Sequence, residues 1–442
     1  MGSLNRGTAE QQAHAEQPAR MGQQGRVGQQ APTKQAPAGG PSHGGPVRGP
    51  VRGGLVRYVA AATLARTADG GAVVAIVLMV TTSGAPGWLA GLLGACITAP
   101  HLLGPLVARS LDSCRDGRVL IAWACIVHGA TLAAAVLLYP VTWPAVTGVL
   151  LVASGLVGPL LTGGTSSRLP AIAGPDQVSQ RRAQGWDVAT YGIGGTIGPS
   201  VVAAVSAWAG PTIAALILAA ATFVAAGVVR LLPYVPPAAL AAEVPRPAQT
   251  LRLMAVTGRL RRMLYLTITV AFSVAALPIA AVASTAMFQV QPAAAGVLTA
   301  AYGLGGLAGS AGVMCHPLRG DADRLVTRLA GFVAVALAVA ALSGSFAPAV
   351  AAYAAAGVMN SYFFAATLAA RSEFAPPQVR GQVFVWVGAL KIAAGSAGTA
   401  TAGVVITGEP QLPLFLAAAL ILASAGASVL DRRGPVGLKT SG

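Results

Sequence analysis

Four ionisable residues stand among apolar ones. In "LARTADGGAVV" Arg66 and Asp69 lie three residues apart, in "VFVWVGALKIAAGSAG" Lys391 is the only charge, and in "GWDVATYGIGGTIGPSVV" Asp187 follows Trp186. Residues three apart on a helix are neighbours, so Arg66 and Asp69 can pair, or Asp69 can carry a proton or hold a cationic group. The plainer reading is an ion pair near a membrane surface, with Arg66 snorkelling outward. A buried lysine loses its proton or demands a partner, so Lys391 can attract an anionic group or neutralise a carboxylate elsewhere. For Asp187 the favoured reading is structural: an acid in the first turn of a helix is stabilised by the helix dipole, with Arg181 and Arg182 near.

These residues need elements to hold them, and composition says which kind. Hydrophobic residues make up 55% of the 442, charged residues only 10%, and mean hydropathy is +0.67, against about 25% charged in soluble domains. This is the composition of a polytopic membrane protein. The formal net charge of +16 does not indicate nucleic acid, because the cations fall in short gaps between apolar runs instead of gathering with aromatics on one face. Cys96, Cys114, Cys125 and Cys315 form no CxxC pair, so neither a disulfide framework nor a metal site is expected. No cofactor is expected, and without a GxxxxGK[ST] loop there is no sign of ATP hydrolysis. His101 and His128 are lone histidines in apolar runs, read as hydrogen-bonded in place.

Residues 1–54 are rich in Gln, Gly, Pro and Ala and cannot bury enough apolar surface to fold, so a disordered cytoplasmic tail is expected, with contact to anionic lipid as a weak alternative. Apolar runs of roughly 20 residues, the length a bilayer requires, follow near 58–82, 87–108, 118–139, 144–166, 186–208 and 211–233. After a polar linker at 234–261, a second six lie near 263–288, 293–314, 325–346, 347–370, 382–407 and 411–430. The expected domains are therefore a six-helix bundle at 55–233, the linker, a second bundle at 262–431, and a short tail at 432–442. The loops "TSGAPG", "YPVTWP", "WAGP", "QVQP", "GSFAP" and "TGEPQ" contain no Lys or Arg, whereas the alternate connections hold Arg115, Arg168, Arg181, Arg319, Arg371 and others. By the positive-inside rule both termini are cytoplasmic, in a cell inner (plasma) membrane. The halves also repeat: an Arg closing one helix, then Pro-x-Gln-Val and Arg-x-Gln, occur in "SSRLPAIAGPDQVSQRRAQG" and again in "AARSEFAPPQVRGQV". Repeated halves around a central site are a transporter architecture.

Six plus six spans with a basic central loop resemble the major facilitator superfamily, an all-α membrane fold of twelve helices in two bundles. The loop "GPLVARSLDSCRDGRVL", with Asp112, Arg115, Gly117 and Arg118, is similar to that family's signature between helices 2 and 3, which implies an ionic latch on the cytoplasmic side. Arg115 stands where the family has Gly. Gly185, Gly194 and the Gly198-Pro199 pair are similar to the helix 5 motif of the family's drug/proton antiporters, though Val202 and Ala203 replace its final glycines. Gly194 and Gly198 lie one turn apart and permit close helix contact, and Pro199 removes a backbone bond; plain tight packing is the alternative reading. The antiporters' intramembrane Arg of helix 4 has no counterpart in "VTWPAVTGVLLVASGLVGPLLTGG".

The resemblance implies secondary active export of a small organic compound by proton antiport and alternating access. The partners would be a small-molecule substrate, protons and the lipid bilayer, and the protein would not be an enzyme. Uptake of a nutrient or metabolite is the alternative, and a non-transport membrane enzyme or sensor a more distant one. Trp186, Tyr191, Asn360, Tyr362, Phe363, Phe364, Phe384 and Trp386 are candidate cavity linings, with ordinary packing equally open to the aromatics of "NSYFFAATL".

Overall fold

The computed structural model describes residues 53–237, 243–406 and 409–433. The expected tail at 1–54, the 434–442 part of the C-terminal tail and the middle of the linker lie outside them, save Gly53 and Gly54. Twelve helices are long and apolar enough to cross a membrane. They are α1 Gly54–Thr82, α2 Gly87–Ser113, α3 Gly117–Leu138, α4 Pro144–Ile172, α5 Gln177–Ala209, α6 Pro211–Arg230, α7 Gly258–Met287, α8 Pro292–Cys315, α9 Ala322–Ala341, α10 Phe346–Phe374, α11 Pro377–Val405 and α12 Leu412–Arg433. The described residues contain no strand, and the architecture is the expected all-helical one of twelve spans.

Local chemistry sets the helix ends. Asp116 caps α3 by accepting from the Arg118 N–H at 2.9 Å, and Asp176 caps α5 through the Ser179 N–H at 2.8 Å, each satisfying a donor that the first turn leaves open. Gly210 turns α5 into α6 at φ 87° and ψ 159°, an essentially glycine-only conformation that costs a side-chain-bearing residue about 1–3 kcal/mol. Prolines open α4, α6, α8 and α11, where a missing N–H removes no bond.

Several spans run past their apolar stretches, and one short helix lies outside them all. Helix α5 begins at Gln177, well before residue 186, because the polar stretch "QVSQRRAQ" stays helical and buries Arg181 and Gln184 against the other half. The linker contains a short helix, Pro247–Val256.

Each half has its own core, rich in alanine: Tyr58, Ala65, Ala72, Ile76 and Leu93 in α1–α6, and Met263, Leu298, Val333, Ala356 and Val383 in α7–α12. A smaller cluster, Val188, Val313, Phe364, Leu368 and Phe384, joins them. Large apolar residues otherwise face outward. Trp88, Trp143 and Trp208, 68–82% exposed, stand at the end of the bundle opposite the arginines, where amphipathic rings suit a membrane interface.

Candidate functional site

Helices α1 and α5 meet through glycine. A Cβ at Gly198 would stand 2.7 Å from the Gly71 nitrogen, and one at Gly194 2.7 Å from the Arg66 Cβ. This approach puts Arg66 directly against α5. Its Nη1 donates to Asp187 Oδ1 at 2.7 Å, to the Asp187 carbonyl at 3.1 Å and to the Thr190 hydroxyl. Nη2 reaches α4, donating to Ser166 Oγ at 2.8 Å and the Thr162 carbonyl at 3.2 Å. The Tyr58 hydroxyl donates to Asp187 Oδ1 at 2.6 Å, and the guanidinium lies 3.6 Å from the Tyr191 ring centroid. Arg66 is 3% exposed and Asp187 fully buried.

Two expectations are thereby corrected. Arg66 neither snorkels nor pairs with Asp69: positions three apart point about 60° apart around a helix, so Arg66 faces α5 while Asp69 faces α2. Asp187 is not in a first turn, since α5 starts at Gln177; about 15 Å of helix separates it from that end. Its partner is Arg66, and Arg181 is engaged elsewhere. Asp187 Oδ2 has no hydrogen-bond partner among the described residues.

Asp69 instead lies 3.5 Å from His101 Nε2, in the short 3-10 turn Ala99–Leu103 that interrupts α2. Gly158 on α4 makes the room, for a Cβ there would meet the imidazole at 2.5 Å. Deeper in the same half, His128 Nδ1 sits 3.0 Å from Ser154 Oγ. His128 is thus held in place as expected, but His101, read as a bystander, is the partner of the foremost carboxylate candidate. The two residues stand 32 positions apart on different helices, and no spacing rule joins them.

The other half pairs Arg262 and Arg432 with Asp323 near its arginine-rich end, but around the ring pair it presents two cations without carboxylates. Lys391, about 16 Å along α11 from Arg380, places Nζ 3.8 Å from the Phe364 centroid and 5.9 Å from that of Tyr191. Those rings meet edge to face with centroids 5.0 Å apart. Arg371, the arginine that closes α10, sits in its last turn and is 1% exposed. Its guanidinium stands 5.8 Å from the Phe364 centroid, its Nη2 donates to Thr367 at 3.4 Å, and its Nε is unpartnered. Neither cation pairs with an acid among the described residues. A cation–π contact returns about 0.5–2 kcal/mol, whereas a lysine at the centre of a span costs about 2.5–3.5 kcal/mol to insert.

Lys391 lines a cavity of about 270 Å³ between α7, α8, α10 and α11, together with Thr267, Val270, Tyr302, Asn360, Phe363 and Phe364. Asn360 Nδ2 donates to the Tyr302 hydroxyl at 2.8 Å. Of the other lining candidates, Trp186 is 39% exposed outside the cavity, and the Tyr362 hydroxyl lies against Gly312 on α8. Trp386 donates to the Pro247 carbonyl of the linker at 3.1 Å, and Phe384 belongs to the cluster between the halves.

The arginine-rich end is closed. Asp112 at the foot of α2 accepts from the Gly381 and Gln382 N–H groups, both at 2.8 Å. Arg181 on α5 pairs with Glu373 at 2.7 Å and donates to the Gly320 carbonyl at 3.1 Å. The loop carboxylate therefore meets open N–H donors and the positive end of a helix, not an arginine. Arg115 is exposed. Arg118 binds Asp116 at 2.8 Å, and that guanidinium pulls the Asp116 carboxyl down to about 2. Gly117 leaves space for the Arg168 guanidinium. The helix 5 glycines divide: Gly194 and Gly198 face α1 within one half, whereas a Cβ at Gly185 would press on Met314 of α8 at 3.0 Å across the halves. Pro199 lies inside α5, which continues through it to Ala209.

No protein-family model and no curated protein sequence matches the chain. Solved structures do. The human organic anion transporter MFSD10 aligns over 85% of this chain and 99% of its own, at 16% identity and TM-score 0.66. A bacterial homologue of the iron transporter ferroportin in its outward-facing state aligns over 86% and 99%, at 14% and 0.69. The major facilitator superfamily transporter FucP in the outward conformation aligns over 85% and 98%, at 13% and 0.63. Twelve spans, the helix order and these alignments together give the chain the major facilitator fold.

Proposed function

We propose that the chain is a secondary active transporter of the plasma membrane that exports a small organic compound by proton antiport. Its halves, residues 55–233 and 262–431, would rock against each other and so expose in turn the cavity that the second half carries between α7, α8, α10 and α11, with residues 234–261 as linker and both termini cytoplasmic. The observation that carries this reading is the combination of a cavity at mid-depth with an arginine-rich end held shut by Asp112 and Arg181. A membrane protein that alternates access needs a site and a gate that can break, and the Asp112 half of this gate, hydrogen bonds to backbone N–H groups, breaks without leaving a stranded cation.

Asp69 with His101 is the proposed proton carrier. A carboxylate and an imidazole 3.5 Å apart can pass a proton between them, which the guanidinium of the Arg66–Asp187 pair cannot do because arginine keeps its proton, and intramembrane acids and histidines mark proton relays. Arg66 and Asp187 would hold α1, α4 and α5 as one body.

The test uses inside-out vesicles energised by respiration, with a pH-sensitive dye in the lumen. Added substrate should dissipate the gradient, and Asp69→Asn should abolish that response while inserting normally. A full response from Asp69→Asn removes Asp69 from the coupling. Acidification by the substrate instead of dissipation would indicate the uptake direction.

A further inference from the structure

We infer that the mid-depth cavity binds a small organic anion, its negative group on Lys391 and its apolar body among the aromatic and aliphatic walls; this deepens the transport reading and rests on it. Three cations, Arg66, Arg371 and Lys391, surround the Tyr191–Phe364 ring pair. Among the described residues the only acid bonded to any of them is Asp187, and Arg66 holds it at 2.7 Å. Two positive charges are left over.

The hydrogen-bond inventory points the same way. Lys391 makes no hydrogen bond or ion pair among the described residues, yet its ammonium carries three donors. The Tyr302 hydroxyl accepts from Asn360 at 2.8 Å, so its own rotatable proton can be given to a ligand in the cavity. The cavity wall thus presents donors in excess. A ligand that complements it must be rich in acceptors and negatively charged, which describes a carboxylate or a comparable oxyanion. A cationic or neutral amphiphile would leave both the charge and the donors unmet.

Size and wall chemistry limit the rest of the ligand. About 270 Å³ is just below the usual range for drug-sized sites, and Val270, Phe363 and Phe364 line most of it with apolar surface. One or two fused rings carrying one anionic group fit that description.

Binding is measured on the purified full chain in detergent by calorimetric titration, with 1-naphthoate against the neutral isostere 1-naphthamide. Naphthoate should bind at least tenfold tighter than naphthamide. Lys391→Met should weaken naphthoate by tenfold or more and erase the preference, Lys391→Arg should keep most of it, and Tyr302→Phe should weaken naphthoate a few-fold. Equal affinity for the two compounds, no binding of either, or a preference that survives Lys391→Met overturns the inference. If Lys391→Met does not fold, Lys391→Gln replaces it, and the wild-type ratio alone still decides. Naphthoate that binds with the stated preference but never crosses the membrane in the vesicle assay overturns the transport reading and leaves the anion site. A compound that is transported equally well by wild type and Lys391→Gln does the reverse.

Discussion

The two halves hold their central charges in opposite ways. In α1–α6 the guanidinium of Arg66 is met by a carboxylate, two hydroxyls, two carbonyls and an aromatic face. In α7–α12 Lys391 has an aromatic face alone, and Arg371 has one weak hydroxyl contact and two rings. A guanidinium held this closely by a carboxylate has fixed geometry and a balanced charge, although Arg66 Nε and Asp187 Oδ2 have no partner among the described residues. An unsatisfied cation destabilises the empty protein and is available. The repeat therefore supplies a rigid partner on one side and a reactive wall on the other, which the shared fold of the halves would not suggest.

The largest expected effect breaks the satisfied side. Asp187→Asn strands a buried guanidinium, which costs about 3–5 kcal/mol, so thermal stability in detergent should fall sharply, whereas Arg66→Met with Asp187→Leu should recover most of it. A mild loss in the single variant would mean the pair is not the anchor described. The same removal of charge on the other side should have the opposite sign. Lys391→Met deletes an uncompensated cation and should raise the melting temperature, by the equivalent of about 1–3 kcal/mol. A lower melting temperature would show that Lys391 has a stabilising partner and would collapse the contrast.

The span count and their order were legible in the sequence because twelve runs of bilayer length are separated by gaps of alternating charge. The chemistry was less so. Arg66, Asp69, Asp187 and Lys391 stood out as charges among apolar residues, but their partners did not, since Tyr58, Ser166, Thr190 and His101 reach them from other turns and other helices. Local spacing suggested Arg66 with Asp69 and Asp187 with Arg181, and tertiary packing replaced both. Arg371 was hidden for a different reason: it closes a helix at a span boundary, where an arginine is usually solvated, and tertiary packing beside Phe364 and Phe384 is what buries it. The glycines of α5 read correctly as a close-packing surface, but nothing in their spacing distinguishes the turn facing α1 from the turn facing α8.

The gate gives a smaller test. Asp112→Ala removes the acceptor of two helix-terminal N–H groups, so the closed arginine-rich end should weaken by about 1–3 kcal/mol. Thiol labelling of a cysteine introduced at Ser167, which lines the recess beside Asp112, should become faster. Unchanged labelling would assign closure to Arg181 and Glu373 alone.

The finest distinction lies within the glycine motif. At Gly198 an added methyl would meet backbone atoms of α1, including the Gly71 nitrogen at 2.7 Å, which cannot move without shifting the helix. Gly198→Ala should therefore lower stability by about 1–3 kcal/mol, the usual range for overpacking. At Gly185 the contacts are wider, at 3.0 Å from Met314 and 3.1 Å from Val313, and they cross the halves. Gly185→Ala should lower the melting temperature less than Gly198→Ala does, because its nearest contacts stand at 3.0 Å instead of 2.4 Å, while speeding thiol labelling at position 167. If the two substitutions instead produce the same profile, the glycines act as one surface and the halves are not separable bodies. If they divide as expected, α5 is rigid toward α1 and yielding toward α8, which is what a helix on the moving edge of one half requires.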